Sequence, residues 1–235
     1  MCKLKYVIVI FFVFILVSNA KSDLAHKVHP DTTFDVINFY SNENPDTVIF
    51  RKIGKDVPAM AFNIILNGKD YKYFPVKNII IRDSASNQII HVIESEKDSL
   101  GIFNIEFNDF NFDGYKDLYV YDGCAILANC FGKVYLYNKD LKRFVRDYAF
   151  DDLTSVQVDK DKKIVRSFNR CCAGSESDTK IFRYYNGKLT LIKEILMSYN
   201  TGKSKFIYIV NEYNKDGKLI KSKEVISDDF DLDLE

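Results

Sequence analysis

From residue 47 onward, apolar and polar positions alternate with a period of two along most of this chain. "TVIFRKI" (47–53), "NIIIRD" (78–83) and "QIIHVIE" (88–94) are short runs rich in β-branched residues, of strand length. Turn signals separate such runs. Asn67-Gly68 stands between the two arms of "AFNIILNGKDYKYF", Asn186-Gly187 within "IFRYYNGKLTLI", and Asp216-Gly217 within "FIYIVNEYNKDGKLIKSKEV". These dipeptides tolerate the positive φ that a tight hairpin turn requires, so each predicts a hairpin. "VYLYNKDLKRF" and "VQVDKDKKIV" predict two more with slightly longer turns. In "DLKRFVRDYAFDDL", Leu141, Phe144, Val145, Tyr148 and Ala149 fall at helical spacing. That spacing leaves a short helix and a strand running into a loop equally open. The whole pattern predicts an all-β, antiparallel, hairpin-rich fold: a β-sandwich or a small propeller-like fold, with one candidate short helix.

The first twenty residues follow a different grammar. Lys3 and Lys5 make a basic start, twelve apolar residues follow, and Ser18 and Ala20 are the small residues of a signal peptidase site. The apolar run is too short to span a bilayer as a helix. We expect cleavage after Ala20 and a periplasmic or secreted protein with no stable membrane insertion. Residues 21–32 then form a flexible lead-in, 33–225 a single β domain, and 226–235 a solvated acidic tail. No cysteine stands directly after the apolar run, so we expect no lipid attachment site. Formal charge is zero for the whole chain and −2 without Lys3 and Lys5. Such a balance is no footprint for nucleic acid or an anionic membrane. With 19 Phe and 15 Tyr there is ample material for a core.

Four cysteines remain after cleavage: Cys124, Cys130, Cys171 and Cys172. An even count in an exported chain suggests disulfides, and four cysteines allow three pairings. A bond between adjacent Cys171 and Cys172 would be strained. Two bridges joining the 124–130 loop to the 171–172 loop are favoured. A local Cys124–Cys130 bridge with the other pair free is the alternative. Metal binding by these cysteines is the weaker reading, because His26, His29 and His91 all lie earlier in the chain.

One segment departs from ordinary β-protein. "DFNFDGYKDL" (109–118) places Asp109, Asn111, Asp113, Tyr115 and Asp117 on odd steps, with Gly114 at the sixth position. This is the first three-quarters of an EF-hand-type calcium loop. Side chains at positions 1, 3 and 5 can point at one centre, glycine permits the bend, and the carbonyl of Tyr115 and the carboxylate of Asp117 complete an oxygen set. The twelfth position is Val120 instead of a bidentate glutamate. The flanks alternate with period two, Ile105 and Phe107 before and Leu118 and Val120 after. We therefore expect a strand–loop–strand calcium site, in which crowded carboxylates need a cation to offset their repulsion.

The chain carries no Gly-x-Ser-x-Gly or His-Glu-x-x-His motif. Ser175 has no histidine nearby in sequence, and His91 sits in a strand pattern. We expect no enzyme.

"DFNFDGYKDLYVY", "VYLYNKDLKRF", the small cysteine-containing loop and "FRYYNGKLTLI" together resemble exported bacterial proteins related to the periplasmic I-type lysozyme inhibitors. The likeness is strongest to calcium-binding relatives that act as immunity proteins against secreted peptidoglycan hydrolases, and it covers about residues 100–195. The resemblance implies a loop that plugs the cleft of a lysozyme-like muramidase. In the I-type inhibitors that loop reads Ser-Gly-x-x-Tyr. The nearest match here is "AGSES", giving Ala173, Gly174 and Ser175 as the partner-binding loop, with Gly174 alone in place. A second class of function is a periplasmic or surface module that binds carbohydrate or matrix, with calcium as a structural ion.

Overall fold

The computed structural model describes residues 36–38, 47–66, 76–94, 104–125 and 129–230. The expected signal segment and lead-in lie outside them. Fifteen strands among the described residues form three antiparallel sheets. β1 (Val36–Asn38) pairs with a later strand. β2 (Thr47–Lys52), β3 (Ala59–Leu66), β4 (Val76–Asp83) and β5 (Ile89–Glu94) form a four-stranded meander. β6 (Asn104–Asn108), β7 (Asp117–Cys124), β8 (Cys130–Asn138) and β9 (Arg143–Asp147) form a second sheet, with β1 along the β6 edge. β10 (Gln157–Asp159), β11 (Ile164–Cys171), β12 (Glu176–Tyr185), β13 (Lys188–Asn200), β14 (Lys205–Tyr213) and β15 (Leu219–Ser227) form a third sheet in sequence order.

The turn chemistry explains the meanders. Asn186 (φ 50°) and Gly187 (φ 75°) join β12 to β13 as a two-residue hairpin turn with both residues left-handed. At the β14–β15 turn the Asn214 side chain accepts from the amides of Asp216 (3.0 Å) and Lys218 (2.9 Å), and Gly217 takes φ 75°. Asn67-Gly68 lies outside the described residues; β3 and β4 on either side of it are antiparallel neighbours.

The second sheet is the middle layer. Ile105, Phe107, Leu118 and Val120 pack with Ile49, Phe62, Ile64, Ile79 and Ile81 of the first sheet. Tyr119 and Val134 point the other way and pack with Phe150, Leu153, Val156 and Val165 toward the third sheet. Successive residues of a strand face opposite sides, so β7 can feed two cores at once. That explains the unbroken burial of Asp117, Leu118, Tyr119 and Val120.

The stretch with helical spacing, 141–149, holds β9 followed by a single 3₁₀ turn at Tyr148–Phe150. Its apolar residues do not share a face: Phe144 is buried while Leu141, Val145 and Tyr148 are exposed. Ile226 and Ser227, placed in the acidic tail from sequence, complete β15. Phe230 then packs on Phe206 with ring centroids 5.5 Å apart, and the Tyr208 hydroxyl donates to the backbone carbonyls of Asp229 and Phe230. The tail is thus folded back as far as residue 230. No helix among the described residues is long and apolar enough to cross a membrane.

Candidate functional site

The acidic turn joins β6 to β7, and Asn108 and Asp117 are paired where it closes. Two of its even positions, Phe110 and Phe112, face inward. Phe110 is fully buried against Tyr119 and Phe150, at ring distances of 5.9 and 5.7 Å, and Phe112 packs on the same cluster. The odd positions carry the oxygens. Phe112 (φ 62°) and Gly114 (φ 90°) supply the left-handed bends. A Cβ at Gly114 would meet nothing within 4 Å, so glycine is needed there for its dihedrals and not for space.

Each carboxylate is turned onto backbone amides. Asp109 Oδ1 accepts from Asp113 N (3.1 Å) and Oδ2 from Gly114 N (2.9 Å). Asn111 Oδ1 also accepts from Asp113 N (3.1 Å), and its Nδ2 donates to Asp113 Oδ2 (2.9 Å). Asp113 Oδ1 accepts from Tyr115 N (2.9 Å). Asp117 is buried and holds the turn to the middle sheet: Phe110 N donates to Oδ2 and Tyr137 N to Oδ1, both at 2.8 Å. Burial pushes the Asp117 carboxyl well above the usual carboxylate range; the two amides work against this, and the charges of Asp113 and Asp109 add to it. Burial raises Asp109 as well, with Asp113 again adding.

Sequence reading missed what anchors this turn to the first sheet. Lys116 N donates to Ile53 O (2.8 Å), and the Tyr115 hydroxyl donates to Asp56 Oδ2 (3.0 Å). Lys139 pairs with the same Asp56 oxygen and lies 5.5 Å from the Tyr115 ring centroid. No spacing in the chain announces a contact across 59 residues.

Could this set hold calcium? Asp109, Asn111, Asp113 and Asp117 offer hard oxygens only, the donor type calcium takes and soft metals do not. Every carboxylate oxygen bonded to an amide retains a second lone-pair direction. A buried carboxylate whose main charged influences are two further carboxylates is also the environment a cation would relieve. Among the described residues, the ligand atoms of Cys171, Cys172 and Glu176 also converge, within 4.8 Å of one another.

The cysteines differ from the favoured expectation. Cys124 and Cys130 are partners at the open end of the β7–β8 ladder and form a disulfide. Cys171 and Cys172 are exposed free thiols. The ladder register explains the local bridge, since it brings Cys124 and Cys130 face to face. A disulfide of this kind persists in oxidising compartments. The two loops expected to be cross-linked are joined instead by hydrogen bonds between Asn129 and Arg170.

The loop matched to the inhibitor pattern is a tight left-handed turn. Cys172 and Ala173 both take φ 55° and Gly174 φ 88°. Ser175 donates to Cys172 O through its amide (3.1 Å) and its hydroxyl (2.8 Å), and Ser175 O accepts from Tyr199 N (2.8 Å). The structure does not bring this turn to the acidic one. The Asn129–Arg170 link places it by the Cys124 end of β7, while the acidic turn is at the Asp117 end, about 23 Å of strand away.

Fold and turn together define an antiparallel β-protein with an acidic strand–loop–strand connection in its middle sheet. No family model matches the chain, and no curated protein matches it in sequence. In fold it is similar to a solved structure described as that of a Xanthomonas type IV secretion system related protein. The two share 17% identity at a TM-score of 0.56, over 81% of this chain and 97% of that one. At that identity the likeness concerns the fold.

Proposed function

We propose that this chain is an exported calcium-binding β-protein that binds and inhibits a lysozyme-like cell-wall hydrolase, in the manner of an immunity protein. The observation that carries the calcium part is the acidic turn: three carboxylates and a carboxamide on odd positions, backed by a buried phenylalanine and closed by a buried aspartate. Calcium outside the cytoplasm fills even sites with dissociation constants of about 10⁻⁴–10⁻³ M. An ion bound only to the fold stabilises it by about 2.7 kcal/mol at a hundredfold excess over that constant. Because the acidic turn and the 172–175 turn lie at opposite ends of β7, the ion acts by stiffening the middle sheet and not by touching the partner.

Partner binding rests on the sequence resemblance and on the exposed left-handed turn at Cys172–Ser175. A turn already held in one conformation loses little entropy on docking. The description of the structural neighbour as secretion-system related fits an exported protein. A carbohydrate-binding module with structural calcium is the second reading. The groove of about 720 Å³ lined by Asp56, Asp83, Gln88, Lys139 and Arg143 would be its site. Among the described residues lining it, the one aromatic is Tyr137, only 4% exposed and so poorly placed to stack on a sugar.

The test is a binding and inhibition assay of the mature protein against a panel of muramidases, with calcium and with chelator. We expect saturable inhibition of at least one enzyme, weakened by substitutions at Ala173 and Ser175. No binding by the calcium-loaded protein would sink the inhibitor reading. An unchanged melting temperature on adding calcium would sink the calcium reading separately.

A further inference from the structure

The convergence of Cys171, Cys172 and Glu176 lies outside the acidic turn and at the base of the proposed inhibitor turn, with which it shares Cys172. Cys171 closes β11, Glu176 opens β12, and the two are partners across that ladder. The two sulfurs are 2.8 Å apart. Glu176 Oε2 lies 3.4 Å from Cys171 Sγ and 3.5 Å from Cys172 Sγ. All three residues are exposed and neither cysteine is in a disulfide.

Backbone conformation produces this meeting. Adjacent side chains in a strand point to opposite faces, which would separate the two thiols. The left-handed run at Cys172, Ala173 and Gly174 turns the chain back, so both sulfurs reach one carboxylate oxygen.

The distances decide what the group suits. Tetrahedral zinc, with bonds of about 2.3 Å to sulfur and about 2.0 Å to oxygen, sets S···O at about 3.5 Å and S···S at about 3.8 Å. Both S···O distances already agree with this. The sulfurs need to part by about 1 Å, a small side-chain rotation on an exposed turn. A disulfide would need them to close by a similar amount, to about 2.05 Å, so the S···S distance does not choose between the two; the carboxylate oxygen placed 3.4 and 3.5 Å from the sulfurs is what favours the ion.

We propose that Cys171, Cys172 and Glu176 form a binding site for zinc or a similarly thiophilic ion, with the fourth tetrahedral position open. Thiolates select such ions over calcium, so the two sites of this protein take different metals. Binding such an ion displaces the thiol protons of Cys171 and Cys172, so uptake releases protons. Cys171 and Glu176 also line a groove of about 300 Å³ with Asp178, Leu196 and Ile209. The open position therefore borders space that can take water, a small ligand or a partner's side chain.

The experiment is a titration of the mature protein, mildly reduced and in excess calcium, with cobalt(II) and zinc(II), read by absorption and by native mass spectrometry. We expect one retained zinc and a thiolate-to-cobalt charge-transfer band. Cys171→Ser with Cys172→Ser should abolish both. Glu176→Gln should weaken binding by about tenfold or more while keeping the band. The double variant also controls for any reduction of the Cys124–Cys130 bridge. Absence of the band, equal zinc binding by the double variant, or a Cys171–Cys172 disulfide that re-forms in preference to zinc uptake would each overturn the proposal. The result does not depend on calcium or on any muramidase.

Discussion

The carboxamide of Asn129 makes both hydrogen bonds of the Arg170 backbone: Nδ2 donates to the carbonyl at 2.6 Å and Oδ1 accepts from the amide at 2.9 Å. A side chain here does what a neighbouring strand would do. It ties the open end of the β7–β8 hairpin to β11, one residue before Cys171. Asn129 is only 8% exposed, so little water can replace it. Asn129→Ala leaves a donor and an acceptor unmet and should cost about 1–3 kcal/mol. Asn129→Asp should cost nearly as much, because a carboxylate cannot donate to the Arg170 carbonyl. Urea unfolding measures the loss, and faster hydrogen exchange at the Arg170 amide locates it. Wild-type exchange at that amide in Asn129→Ala would refute the assignment.

Asp113 and Asp117 belong to one acidic turn but do different work. Asp113 is exposed and bonds within the turn. Asp117 is buried and holds two amides from different segments. Both substitutions to alanine should abolish the rise in melting temperature on adding calcium. In calcium-free buffer Asp117→Ala should be the more destabilised, by about 2–4 kcal/mol, since it strands two buried donors. Asp113→Ala should stay within about 1 kcal/mol of wild type there. Thermal unfolding of both variants, with calcium and with chelator, separates the two roles.

A pH dependence follows from the raised Asp117 and Asp109 carboxyls, both caused first by burial. A carboxyl whose folded pKa exceeds its unfolded value binds its proton more tightly in the fold. The stability it lends is present below the unfolded value of about 4 and is lost as pH rises through the folded value. Calcium favours the ionised form and so offsets that loss. The calcium-induced rise in melting temperature should therefore grow with pH above about 4 and vanish on the acid side. Paired melts with and without calcium across that window test this, and a shift independent of pH would contradict it.

Much of this was legible in the chain because local rules govern it. Period two and the Asn186-Gly187 and Asp216-Gly217 turns predict β12 to β15 directly. The odd-step oxygens mark the acidic turn. What was not legible depends on register and packing. Whether Phe144 or Val145 goes inward is decided by the facing sheet, so the spacing at 141–149 left helix and strand equally open, and the strand is what forms. Cys124 meets Cys130 because of their place on a ladder, which no count of cysteines reveals. Glu176 joins Cys171 for the same reason, across β11 and β12. The Asp56–Tyr115 bond is longer range still, linking two sheets.

That last bond makes Gly54 a remote control on the acidic turn. A Cβ there would stand 2.5 Å from Tyr115 Cδ1 and 2.8 Å from Cε1. The ring cannot simply step aside. Its hydroxyl is bonded to Asp56, Lys139 sits over one part of it, and the Tyr137 ring lies 5.7 Å away. The next residue, Lys116, is hydrogen-bonded to Ile53 O. Gly54→Ala must therefore shift Tyr115, whose carbonyl belongs to the proposed oxygen set, and overpacking of this kind costs about 1–3 kcal/mol. Calcium affinity should fall with it. Tyr115→Phe keeps the ring and loses only the hydroxyl's bonds to Asp56 and Lys139, so its calcium affinity should stay near wild type. Adding Tyr115→Ala to Gly54→Ala should relieve the clash and recover part of the lost stability. Calorimetric titration of the three variants decides the matter: if Gly54→Ala binds calcium as wild type does, the turn is not coupled to the first sheet through Tyr115.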